Sequence, residues 1–109
     1  MTDTTALRDL LGKVKSGGPI TFEDFAPVFT KNAADRLDAS AACRGNANAA
    51  IALCKSVVPE WHWGMDDVGA NVYLGAAHRP KAIFSAKGEP ARALLICTIE
   101  AMIWRAENG

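Results

Sequence analysis

The sequence lacks a surplus of charge, a long apolar run and a leader segment. Twelve Lys and Arg residues balance 12 Asp and Glu residues, so the formal net charge at pH 7 is 0. Non-specific binding to nucleic acid or to a membrane surface needs clustered positive charge, and the balance argues against both. No apolar run approaches the roughly 20 residues that span a bilayer, and the beginning of the chain is polar and acidic. We therefore expect a cytoplasmic protein with no membrane partner.

The sequence also lacks the motifs that carry catalysis or hold metal ions. Its two histidines form no HxH or HxxxH pair, and its three cysteines form no CxxC pair. GxSxG, P-loop and GxGxxG motifs are missing. Cys43 stands beside the cation of Arg44, and Asp66 with Asp67 is typical of a turn. We expect no enzyme, no cofactor and no metal.

The composition is that of a folded domain. Hydrophobic residues make up 50% of the 109 residues and charged residues 22%, which excludes wholesale disorder. The length fits a single domain over residues 1–109. A domain of this size buries only about 60–70% of its unfolded surface. Self-association would supplement its stability, so we expect a homo-oligomer.

Hydrophobic periodicity predicts several helices. An apolar stripe over residues 7–14 predicts a first helix, which Ser16 to Pro19 ends. Residues 24–29 predict a short amphipathic turn, and residues 32–37 a weak helix followed by a loop. A clear helix follows Asn46 and stops at Pro59.

The period then changes to that of strands. Residues 61–65, 70–74 and 81–86 alternate and are separated by glycine-containing turns, which predicts an antiparallel meander. One face of this sheet would carry Trp61, Trp63, Val72, Leu74, Ala82 and Phe84. The other face would carry His62, Asn71, Tyr73, Ile83 and Ser85. With a last helix from Glu89–Pro90 to about Ala106, the order α-α-α-β-β-β-α predicts an α+β fold, a three-stranded sheet covered by helices.

The last helix is apolar on nearly every side. A helix of this kind is buried between two layers or forms a subunit interface. The second alternative makes Leu94, Ile96 and Trp104 candidate partner-interface residues, since tryptophan is enriched at binding hot spots. Phe29 is a further candidate, although the phenylalanine-rich segment around it is more typical of a core edge.

Positive charge gathers before the last helix. The candidate anion-binding residues are Arg79, Lys81, Lys87 and Arg92, with Tyr73 available to stack on a base. Lys87 precedes a helix N-terminus, where free N–H groups and the dipole favour an anion. These residues predict either a phosphate-binding site or a set of solvated cations at the surface with no specific ligand.

Two segments resemble a known family. The stretch AIALCKSVVPEWHW at residues 50–63, with its Val-Pro-x-Trp-x-Trp junction, and the stretch EPARALLICTIEAM at residues 89–102 are its matching parts. Together with the first helix they resemble small phage and prophage proteins of the "ABA sandwich" type. The resemblance covers roughly two thirds of the chain and leaves residues 20–46 as a possible insertion. It implies helices sandwiching a small sheet and a phage origin, and it implies no activity.

These observations predict a binding protein. The first hypothesis is a non-enzymatic phage accessory protein in the host cytoplasm, a counter-defence inhibitor that occupies a host protein. The alternative is an oligomeric sponge that sequesters a phosphorylated nucleotide signal between its subunits. An enzyme that uses Cys43 or the Asp66–Asp67 pair, and another phage accessory role, are the remaining hypotheses.

Overall fold

The computed structural model describes residues 4–17 and 20–108 and confirms the α+β fold. Helices precede and follow a three-stranded antiparallel sheet, in the order α-α-α-β-β-β-α that the sequence predicts. The elements are α1 (Thr5–Ser16), a 3-10 helix (Phe22–Phe25), α2 (Ala33–Cys43), α3 (Ala47–Val57), β1 (His62–Asp66), β2 (Gly69–Ala76), β3 (Arg79–Lys87) and α4 (Pro90–Asn108). Helix α1 is followed by Gly17 in the left-handed conformation, and the Gly18 and Pro19 of the predicted stop lie outside the described residues.

Strand β2 is the middle strand of the sheet and pairs antiparallel with both neighbours, with a register shift against β3 between Leu74 and Gly75. In the β1–β2 turn, Asp66 Oδ1 accepts hydrogen bonds from the amides of Val68 and Gly69, at 2.9 and 3.0 Å. A Cβ atom at Gly69 would lie 2.2 Å from the Ala86 carbonyl oxygen. Only glycine allows this close approach of β2 to β3, so the register at this end of the sheet depends on it.

Helix α4 lies between two layers. It packs against all three strands on one side and against α1, α2 and α3 on the other. Leu94, Leu95 and Cys97 are fully buried, although the helical period places them on different sides of α4. Of the two alternatives that the sequence left open for this helix, burial between the sheet and other helices is the one observed. Because α4 is buried on both sides, its sequence carries apolar residues around the whole helix instead of on one face.

Residues 20–46 form part of the core. Phe25 and Phe29 are buried, as are Ala39 and Ala42 on α2. Helix α2 continues to Cys43, where the sequence predicted a loop after residue 37. The small alanine side chains let α2 pack closely against α3, and this packing is not visible as an apolar stripe in the sequence. The phenylalanine segment begins two residues earlier than predicted, as a 3-10 helix from Phe22.

Candidate functional site: the open face of the sheet

The sheet has one face against α4 and one face towards solvent. Alternation along β3 places every second residue outward and exposed, from Arg79 to Lys87. We call the outward surface of the three strands the open face. It comprises His62, Gly64, Asp66, Asn71, Tyr73, Arg79, Lys81, Ile83, Ser85 and Lys87. The sequence assigned five of these residues to one face, and strand alternation is the signal that did so.

Three side chains form an apolar row across the open face. His62 is paired with Tyr73, and Tyr73 is paired with Ile83, so the three residues lie side by side on three strands. The ring centroids of His62 and Tyr73 are 5.1 Å apart, with 30° between the planes. Ile83 is 55% exposed. Because cross-strand neighbours on one face contact each other, these residues form a continuous platform, which we call the His62–Tyr73–Ile83 platform.

A shallow depression of about 170 Å³ lies beside the platform. Gly64, Asn71 and Ser85 form the next row across the strands and line it, with Asp66 and Lys87 at one end. A Cβ atom at Gly64 would lie 3.1 Å from the Asn71 Oδ1 atom. Because residue 64 is a glycine, no side chain from β1 fills this part of the depression. The open face therefore presents the Asn71 amide and the Ser85 hydroxyl beside its apolar row.

The open face carries unbalanced positive charge. Arg79, Lys81 and Lys87 are exposed on β3 and belong to none of the ion pairs found within residues 4–17 and 20–108. Asp66 is the acidic residue in an outward position on the three strands, and its Oδ1 is engaged by the turn amides. The chain as a whole is neutral, so this positive charge is a local property of one surface.

The predicted anion cradle is not assembled. Arg79 and Lys87 lie at opposite ends of an extended strand, about 26 Å apart. The N-terminus of α4 is covered by the chain itself, because the Glu89 carboxylate accepts hydrogen bonds from the amides of Ala91 and Arg92, at 2.9 and 3.0 Å. Within one chain, therefore, the structure does not bring Arg79, Lys81, Lys87 and Arg92 together in one site.

Arg92 is directed away from the open face. Its Nη2 atom donates to the Cys43 Sγ atom at 3.4 Å, and its Nε atom is buried without an acceptor in the described part of the chain. Tyr73, in contrast, lies on the open face opposite Ile83, and Lys81 lies two positions from Ile83 along β3. The structure thus keeps Tyr73 near Lys81 and separates both from Arg92.

The predicted partner-interface residues are mostly inside the chain. Leu94 is 0%, Phe29 3% and Ile96 9% exposed. They fill the space between α4 and its neighbouring layers, so they offer no surface to a partner, and their assignment as interface residues is corrected. Trp104 is half-buried and packs edge-on against Trp61, with ring centroids 5.6 Å apart. It closes the edge of the core.

Cys54 and Cys97 sit in surroundings that suppress thiolate chemistry. Burial raises the pKa of the Cys54 thiol. Burial, with smaller contributions from Glu100 and Cys54, raises the pKa of the Cys97 thiol to about 12. A thiol of this kind is a weak nucleophile at neutral pH. Within the described ranges, no group of three or more His, Cys, Asp and Glu side chains is placed to hold a metal ion.

Comparisons with protein-family models, with curated proteins and with solved structures yield no match for the chain. The resemblance to phage ABA sandwich proteins therefore stays a prediction. No helix among the described residues has both the length and the apolar character needed to cross a bilayer.

Proposed function

We propose that this chain is a non-catalytic binding protein whose open face occupies an acidic surface of a partner protein. The observation that carries the proposal is the exposed His62–Tyr73–Ile83 platform beside three unpaired cations on the same side of one sheet. Aromatic and arginine side chains supply much of the energy of protein interfaces. An uncovered platform flanked by cations matches this composition.

The two parts of the face have different tasks in such a complex. The platform loses water on contact with an apolar patch of the partner and stabilises the bound state. Arg79, Lys81 and Lys87 attract the partner over a longer range and fix its orientation, because charge complementarity mainly sets association rate and specificity. The positive sign of the face selects a partner with acidic side chains around its own apolar patch.

The identity of the partner follows from the resemblance to phage proteins. A small phage protein without catalytic groups acts by occupying a target, and we propose that the target is a host defence protein in the host cytoplasm. Occupation of its working surface would inhibit it. This is the counter-defence role that the sequence predicts. The binding surface that we propose for it is the open face of the sheet instead of α4.

The experiment uses two matched substitutions. Ile83→Asp places a carboxylate on the platform, and Leu37→Asp makes the same change at a 60% exposed position on α2. Each variant is expressed in hosts that carry individual defence systems, and phage plating is measured together with complex formation with the purified defence protein. We expect wild type and Leu37→Asp to restore plating and to form the complex, and Ile83→Asp to lose both. Equal behaviour of the two variants would contradict the proposal.

A second candidate is the nucleotide sponge. The half-buried Tyr73 ring near Lys81 favours stacking on a base beside a phosphate. The depression of about 170 Å³ is smaller than the roughly 300 Å³ at which ligand sites begin, so a second copy of the chain would have to cover the ligand. Light scattering and thermal melting with cyclic nucleotides test this function: it requires a dimer or larger oligomer and a melting temperature that rises with nucleotide concentration.

A further inference from the structure

A cleft of about 370 Å³ lies on the other side of the molecule from the sheet strands, with no strand residue in its lining. It is formed by the segment before α2, the first turn of α2, the end of α3 and the last turns of α4. Phe29 and Met102 provide part of an apolar wall, and Asp35, Ser56, Lys31 and Arg105 provide polar groups. Its volume is within the range of small-molecule sites, about 300–1,000 Å³.

The carboxylate of Asp35 is buried in this cleft with little compensation. Asp35 is 8% exposed, and the Ser56 hydroxyl donates to its Oδ1 atom at 2.7 Å. Within residues 4–17 and 20–108, no other side chain or amide donates to this carboxylate, and no cation pairs with it. A buried carboxylate normally requires several donors or a positive partner. The N-terminal dipole of α2 supplies part of this stabilisation, and the carboxylate keeps acceptor capacity for a cationic group that enters the cleft.

The two cations at the cleft differ in availability. Arg105 is already engaged, because its Nη1 atom donates to the Val57 carbonyl oxygen at 2.6 Å and lies 3.4 Å from the Glu60 Oε1 atom. Lys31 is exposed and takes part in no ion pair within the described ranges. The cleft therefore presents a buried negative group inside, an apolar wall, and a free positive group at its edge.

We propose that this cleft binds a small amine of amino-acid size, with its ammonium group on Asp35 and its apolar body against the half-buried Val28 and Met102. A carboxylate on the same ligand would pair with Lys31 at the edge of the cleft. The site is independent of the open face, since the two surfaces share no residue. Success or failure of this inference leaves the partner-binding function untouched.

Three aromatic probes of similar size separate the groups that the cleft recognises. Phenethylamine carries the ammonium group, 3-phenylpropionate carries the carboxylate, and L-phenylalanine carries both. In a titration followed by backbone amide NMR signals, we expect saturable shifts near residues 30–35 and 56–57 with phenethylamine and L-phenylalanine, and none with 3-phenylpropionate. Absence of saturable shifts with both amines, or equal binding of 3-phenylpropionate, would overturn the proposal.

Matched variants locate the binding group. Asp35→Asn keeps the shape of the side chain and should weaken phenethylamine binding about tenfold or more, because a charged hydrogen bond is lost. Asp38→Asn removes a half-buried charge on the same helix outside the cleft lining and should leave binding unchanged. If Asp35→Asn does not fold, Thr30→Trp at an exposed position of the lining blocks the cleft and should abolish binding. Unchanged binding in Asp35→Asn or in Thr30→Trp would refute the site.

Discussion

Truncation of one leucine on α4 measures whether this helix holds a single chain together. Leu94 is fully buried, and Leu94→Ala removes three buried carbon atoms. At about 0.8 kcal/mol for each carbon, the lost burial amounts to roughly 2.4 kcal/mol. The void left behind brings the expected loss to about 3–4 kcal/mol. This is a large part of the 5–15 kcal/mol that is typical of small domains.

The assay is urea unfolding followed by circular dichroism at two protein concentrations about 50-fold apart. We expect the midpoint of Leu94→Ala to fall by the same amount at both concentrations, because the lost contacts lie within one chain. The matched control is Ile83→Ala at a 55% exposed position, with an expected loss below about 1 kcal/mol. A loss below about 1 kcal/mol for Leu94→Ala, or a difference between the variant and wild type that changes with protein concentration, would refute the central position of α4 in the isolated chain.

Three further predictions concern helix ends and titrating groups. Glu89→Ala should cost about 0.5–2 kcal/mol in thermal melting, because the carboxylate caps α4; an unchanged melting temperature would contradict the cap. Hydrogen bonding from the Thr21 amide, together with Lys13, lowers the pKa of Asp24 below its ordinary 3.8. Its stabilising effect is therefore present above that pH and lost as the pH falls below it, and Asp24→Asn should flatten the stability profile there. Cys97, with its pKa near 12, should resist iodoacetamide at pH 8 until urea unfolds the chain; mass spectrometry of the labelled protein checks this.

The fold could be predicted wherever a local period reports burial. Alternation identified the strands and their two faces, and the apolar residues on every side of α4 left burial between two layers as one of two alternatives. The second half of α2 could not be predicted, because Ala39 and Ala42 are buried for their small size and leave no stripe. These small side chains allow α2 to pack closely against α3, and this contact exists only in the tertiary structure.

The candidate sites required distances that a sequence does not contain. Arg79 and Lys87 are only eight positions apart in the sequence, but they lie at opposite ends of the extended strand β3. Glu89, where the sequence predicted the last helix to start, turns its carboxylate onto the helix amides and covers the position predicted for a phosphate. Asp35 and Ser56 are 21 residues apart, and no motif links them before the helices pack.

Every layer of this protein is completed by α4, which follows all the others in chain order. While the ribosome is still making the sheet, the inward sides of the strands and of α1–α3 have nothing to cover them. The nascent chain must therefore wait for its central helix before it can become native, and a stop codon anywhere before Pro90 would yield an insoluble or degraded product.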